Sequence, residues 1–345
     1  MRVLIRTQRG PSTMSSLQFV WFLLIGLLFA IFFFLEGFDF GVGMSVNTLA
    51  NNESERNALV RSIGPHWDGN EVYLITAGGA MFASFGAWYA SLFSGFYVMF
   101  LLVLVALIMR GVSFEFRNEM RTDFWRRFWE WSLTISSLAA PFLLGMIFTD
   151  MVKGMPIDAQ GDVIGHFTDY VNWFSIVGGV AVALLCYLHG LNFVRLKTEG
   201  TLRERARAWG KILYPVLFAG EVVFAILVYV YTDFFTKKPI STLLILAAIV
   251  LLSVLAYVAT LKDWEVTSFI SGGLTLPAVV MLLFVGLFPR VMVANNAANS
   301  ILIKNASSSA YTLNLMTWIA LCILPFVLAY QIWSYWVFYK RIKAN

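Results

Sequence analysis

LQFVWFLLIGLLFAIFFFLEGFDFGVGM, residues 17–44, carries no charge from 17 to 35 and then sets Glu36 and Asp39 among three glycines. About 20 consecutive apolar residues cross a hydrocarbon core of roughly 30 Å as a helix. The stretch therefore reads as a membrane-crossing helix with two acids near its end. The whole chain of 345 residues agrees: 59% of it is hydrophobic and 13% charged, too little charge to cover a soluble domain. Aromatic residues make up 16%, with 31 Phe and 12 Trp, which suits lipid-facing surfaces and interfacial belts.

Further charge-free runs occupy 72–109, 131–149, 170–194, 239–261, 266–289 and 305–339, and 212–232 is interrupted only by Glu221. As one helix 72–109 would be roughly 57 Å long, so it folds back, and Ser84, Gly86, Ala90, Ser94 and Gly95 offer the place. The expectation is an all-α integral membrane protein of about nine transmembrane helices. With nine crossings, one side collects most of the basic residues, among them Arg56, Arg61, Arg110 to Arg127, Arg195 to Lys211 and the tail Lys340, Arg341 and Lys343. The positive-inside rule then puts the N-terminus outside and the C-terminus in the cytoplasm. Loops are short, so 14–345 reads as one transmembrane domain: a first four-helix bundle at about 17–150, a second at about 207–340, and one further, peripheral helix. Residues 1–13 form an unpatterned basic extension, with Met14 a plausible biological start.

An ionised carboxylate at the centre of a bilayer costs about 2.5–3.5 kcal/mol on insertion scales, so each one asks for a reason. Glu36 and Asp39 are three apart and share a helix face. They sit toward a helix C-terminus, where the dipole disfavours anions, so capping does not account for them. The next span opens Gly64-Pro-His-Trp-Asp-Gly-Asn-Glu71 on the same side. Asp68 and Glu71 are again three apart, and with His66 they can take protons from water and pass them inward. Acids in a first turn also stabilise the positive end of the helix dipole, which serves for Asp68 and Glu71 without any function. Glu221, about ten residues into its span, is the deepest acid and reads equally as a hydrogen-bonded link between helices or as a pathway member. Asp150 reads as interfacial.

Haem requires axial His, Met or Cys, and His66, His166 and His189 form no paired pattern across helices. His189 reads as a satisfied helix histidine. Cys186 and Cys322 both lie inside apolar runs, and no nucleotide-binding, zinc or nucleophile motif appears. The excess of 25 Lys and Arg over 20 acids reports orientation rather than nucleic-acid binding.

Glu36-Gly-Phe-Asp-Phe-Gly-Val-Gly-Met44, followed by Pro65-His-Trp-Asp-Gly-Asn-Glu-Val72, resembles the signature of subunit II of cytochrome bd-type quinol oxidases. Leu74-Ile-Thr-Ala-Gly-Gly-Ala80, Phe93-Ser-Gly-Phe-Tyr97, Arg110-Gly-Val-Ser-Phe-Glu115 and Leu313-Asn-Leu-Met-Thr-Trp318 extend the likeness. It runs from about Met14 to the C-terminus and is densest over 30–120. The resemblance implies a multi-pass protein of the bacterial cytoplasmic membrane in a pseudo-symmetric heterodimer with a haem-bearing subunit I. Two b-type haems, haem d and the quinol site would belong to that partner, with no cofactor in this chain. A cytoplasmic proton-uptake path through Glu36, Asp39 and Asp68 is also implied; His66, Glu71 and Glu221 are further candidates from their placement, Glu221 matching no motif of that family. A small single-span third subunit and a bound lipid or structural quinone are compatible with it. From another class, a proton-coupled secondary transporter also uses intramembrane acids and glycine-interrupted helices, although its acids would surround a midplane site. A scaffold with inert carboxylates is the remaining alternative.

Overall fold

The structure, a computed structural model, describes residues 13–119 and 122–343. Apart from Thr13, the N-terminal extension lies outside these residues. The helices run α1 Ser16–Thr48, α2 Glu53–Ile63, α3 Trp67–Ser84, α4 Gly86–Gly95, α5 Tyr97–Glu119, α6 Asp123–Lys153 and a single turn α7 Phe167–Tyr170. They continue with α8 Trp173–Lys197, α9 Gly200–Tyr231, α10 Phe234–Lys237, α11 Pro239–Leu261 and α12 Glu265–Leu287. A short antiparallel ribbon, β1 Arg290–Met292 and β2 Ile301–Leu302, leads through α13 Ile303–Ala306 to α14 Ala310–Val337.

Among the described residues, eight helices are long and apolar enough to cross a membrane: α1, α5, α6, α8, α9, α11, α12 and α14. α3 is not among them, because its first turn holds Asp68, Asn70 and Glu71. The run 72–109 breaks where its small residues cluster, at Phe85 and again at Phe96. The chain then doubles back, which brings Arg110 of α5 beside Glu71 of α3.

α1 is the central element and packs against α3, α6, α8 and α12. Its glycines make this possible. A Cβ on Gly41 would overlap the Cys186 carbonyl and the backbone of Gly190, so α1 and α8 meet backbone to backbone there. From sequence, 170–194 is expected between two bundles and 305–339 in the second. Instead α8 is heavily buried against α1, α6, α9 and α12, while α14 buries only Leu313 and lies at the edge. The physical reason is surface chemistry: α8 carries the small residues Gly178, Gly179 and Gly190 that admit neighbours, whereas α14 presents Trp318, Phe326, Ile332 and Trp336 outward.

Loops expected on one side meet at one end. Met155 donates its amide to the Val293 carbonyl at 3.0 Å, and Asn299 bonds the Ile157 carbonyl at 2.8 Å. At this end Arg290 clasps Asp233 with two hydrogen bonds of 2.7 Å. Burial alone would push the Asp233 carboxyl up, but hydrogen bonds from Arg290 and Lys237 outweigh it and hold it at about 2. At the opposite end Glu55 of α2 pairs with Arg205 of α9, and Arg195 of α8 pairs with Asp263 at 3.1 Å. Arg195 is also bonded to Thr260 and Ser268, each at 3.0 Å, so both terminal nitrogens of this buried cation are engaged.

Gly41→Ala is expected to force α1 and α8 apart at a cost of about 1–3 kcal/mol, seen as a lowered thermal midpoint of the solubilised protein. Gly220→Ala, where a Cβ meets nothing within 4 Å, is expected to leave the midpoint unchanged or slightly raised.

Candidate proton-handling site

Glu36 and Asp39 lie on one face of α1, and both are wholly buried. The side chain facing them is Arg110 of α5, also wholly buried. Arg110 Nη1 forms an ion pair with Glu36 and lies 3.5 Å from Glu71 of α3. Its guanidinium is walled by aromatic rings, with Phe40 at 4.9 Å, Phe114 at 5.5 Å and Trp67 at 6.0 Å from their centroids. One guanidinium thus serves several carboxyls. Taking each charge out of water costs several kcal/mol, and the cation is what makes the arrangement tolerable.

Asp39 is held from the other side. Asn70 Nδ2 donates to Asp39 Oδ2 at 2.6 Å, and the Asn70 carbonyl oxygen accepts from Gln331 Nε2 at 2.9 Å and Tyr335 Oη at 2.8 Å. These last two belong to α14, the edge helix, which is thereby tied to the site. Tyr335 stacks on His66 with ring centroids 4.3 Å apart. A chain of contacts therefore runs His66, Tyr335, Asn70, Asp39.

The structure gathers Glu36, Asp39 and Glu71 around Arg110 and links His66 through Tyr335. Asp68 is not in this cluster: it is exposed at the start of α3, and its carboxylate accepts the neighbouring Gly69 amide at 2.7 Å. Glu221 is also apart, on α9 within hydrogen-bonding reach of Ser253 of α11. Arg110, grouped by sequence with the loop cations, is instead the buried counter-ion, because the fold-back leaves it level with Glu36. Asp150, expected at the interface, is wholly buried and accepts from Asn172 Nδ2 at 2.7 Å. Asn70, Gln331 and Tyr335 were missed as site residues. The one available signal was Asn70, which follows the Pro65–Gly69 tract and shares a helical face with neither acid.

The histidines do not assemble into an axial pair. His189 is enclosed, with Nε2 2.9 Å from the Phe34 carbonyl and its ring stacked on Phe269. His66 lies against Tyr335, and His166 sits in an exposed loop. Among the described residues no group of three or more His, Cys, Asp or Glu is placed to hold a metal ion.

Comparison with known proteins gives a match over residues 17–338 to the family model described as cytochrome bd terminal oxidase subunit II. The chain belongs to this family. As a member of the bd oxidase subunit II family it is 46% identical over 331 residues to "Cytochrome bd ubiquinol oxidase subunit 2" of Bacillus subtilis (strain 168), covering 96% of this chain and 98% of that protein. It is 34% identical to "Cytochrome bd-I ubiquinol oxidase subunit 2" of Escherichia coli (strain K12), covering 95% and 96%. The fold is similar to that in "The structure of bd oxidase from Geobacillus thermodenitrificans", with a TM-score of 0.76 at 14% identity over 94% of this chain and 99% of that one. The protein is accordingly a multi-pass membrane subunit of an oxidoreductase complex.

Arg110→Met is expected to strand Glu36 and cost about 3–5 kcal/mol, read as reduced yield and thermal midpoint of the membrane-extracted complex. Adding Glu36→Gln is expected to restore part of the loss. An unchanged single variant would contradict the pairing.

Proposed function

We propose that the chain is the haem-free second subunit of a quinol:oxygen oxidoreductase, that it stabilises haem-bearing subunit I, and that it delivers cytoplasmic protons toward the oxygen-reducing site. The observation that carries this reading is the cluster in which Arg110 pairs with Glu36 and Glu71 and acts electrostatically on the buried Asp39. Full ionisation would leave excess negative charge out of water, so proton binding relieves the cluster and proton release is opposed only until the next proton arrives. Asp39 is the exchanging group: Asn70 donates a neutral amide hydrogen bond to it, and a side-chain hydrogen bond with Glu36 joins the two carboxyls. Glu36 is the group pinned to Arg110, and Glu71, partly exposed, joins the cluster to solvent. Asp68 serves as an exposed collector at the entrance, and His66 and Tyr335 border it. Glu221 links α9 to α11 and takes no part.

The reading has the N-terminus outside and the C-terminus in the cytoplasm of a bacterial cell membrane, with α3 as the ninth crossing. Basic residues concentrated at the end that holds Arg195, Arg205 and Lys340 support it. In this reading α1, α3, α5 and α6 form one four-helix group and α8, α9, α11 and α12 the other, with α14 peripheral; the pairings of α5 with α6, α8 with α9 and α11 with α12 support it, while α8 also packs on α1 and α6. The haems, two b-type and one d, and the quinol belong to subunit I in a pseudo-symmetric heterodimer. Haem there supplies the redox chemistry. The apolar flank of α14 suits a third, single-span subunit, and a cavity of about 670 Å³ bounded by Phe29, Phe82, Phe93 and Phe148 suits a lipid tail or structural quinone. Membership of the oxidase family disfavours the transporter alternative.

In vesicles containing the whole complex, Asp39→Asn and Glu36→Gln are each expected to slow quinol-driven oxygen consumption about tenfold or more. Asp68→Asn is expected to have a smaller effect, and haem spectra should stay as in the unaltered complex. Unaltered turnover in all three would remove the proposed path, and loss of haem would assign the residues to assembly.

A further inference from the structure

A second feature at the same end of the molecule lies outside the carboxylate cluster. A cavity of about 450 Å³ opens between the C-terminal ends of α8 and α14 and the start of α3. Its lining includes His66, Lys197, Tyr335, Lys340 and Arg341, and no Asp or Glu. Lys197 is 94% buried, at 6% exposure. Its ammonium donates to the backbone carbonyls of Phe338 and Lys340, the second at 3.2 Å, and among the described residues it has no carboxylate partner. Carbonyl dipoles alone are poor compensation for burying a full charge. His66, 3% exposed, offers a second observation: its Nδ1 has no hydrogen-bond partner, and the ring lines the same cavity. Asp68 interacts with His66 electrostatically but does not line the cavity. Arg341 is paired with Glu265, which leaves Lys340 as the free cation of the rim.

We propose that this cavity binds a phosphate-bearing anion. Lys197 supplies the buried charge, His66 Nδ1 a hydrogen bond, and Lys340 with Arg341 an electropositive rim. The volume suits a phosphorylated headgroup, small-molecule sites being about 300–1,000 Å³, and Phe193, Leu196 and Phe269 provide apolar walls for the carbon skeleton attached to it. An anionic phospholipid and a free phosphate compound share this chemistry.

The test uses the whole complex, delipidated and placed in nanodiscs of phosphatidylcholine with increasing phosphatidylglycerol, and separately titrated with inorganic phosphate in detergent. The thermal midpoint is followed, since a ligand that binds only the folded state raises it. Phosphatidylglycerol raising the midpoint assigns the site to a lipid headgroup, and phosphate alone doing so assigns it to a free phosphate compound. In either case Lys197→Gln, and the rim variant Lys340→Gln with Arg341→Gln, are expected to need at least about tenfold more ligand for the same shift. Lys304→Gln, an exposed cation on α13 at the opposite end of the molecule, is expected to respond as the unaltered complex does. If Lys197→Gln does not assemble, the rim variant decides. The proposal is overturned if neither ligand moves the unaltered midpoint, or if the cavity variants respond like the surface control.

Discussion

One ion pair, Glu36 with Arg110, constrains the rest of this subunit. Neither side chain is exposed, so neither charge is tolerable without the other, and the helices that carry them have to be in register. α1 brings Glu36 from the first crossing and α5 brings Arg110 after the chain has doubled back. The break at Phe85 and Phe96 is therefore more than a loop requirement: it sets the level at which Arg110 meets Glu36 and Glu71. The aromatic walls of Phe40, Trp67 and Phe114 keep the guanidinium dry, which strengthens its hold on the acids around it.

Small residues and polar links then place the remaining helices around this pair. Gly41 and Gly190 let α8 touch α1, which puts α8 at the centre although its sequence gives it no more apolar character than its neighbours. α14 has almost no buried surface of its own, yet Gln331 and Tyr335 reach Asn70 and so touch Asp39 at one remove. The edge helix is thus coupled to the centre by hydrogen bonds rather than by apolar packing. Such bonds are directional, and they hold a helix whose outer flank is free for lipid or for a partner.

Much of this was legible in the sequence because membrane crossing is a property of single runs. The eight long apolar helices and the fold-back near residues 84–95 follow from local composition, and Gly37, Gly41 and Gly43 by themselves allow a close neighbour for α1. Glu36 and Asp39 stood out because nothing local excuses an acid within an apolar run, although α1 continues to Thr48 and leaves them inside the helix rather than near its C-terminal end. What local reading could not supply was partnership. Arg110 borders a basic segment and looks like a loop cation until the fold-back is known in register. Asn70 and Tyr335 are neutral and 265 positions apart, so no pattern within a span pairs them. Asp68 matched the family motif yet is exposed, since Asn70, two residues on, occupies the inward face of α3 instead. The burial of Asp150 depends on Asn172 across a loop, again a contact between distant runs.

What distinguishes this site is a proton exchanged at Asp39, beside the Glu36–Arg110 pair. Infrared difference spectroscopy of the whole complex, reduced minus oxidised, reads protonated carboxyls directly. A protonated-carboxyl band is expected that shifts in heavy water and is lost or displaced in Asp39→Asn, with Glu36→Gln altering its position. A carboxyl spectrum identical in the unaltered complex and both variants would contradict it.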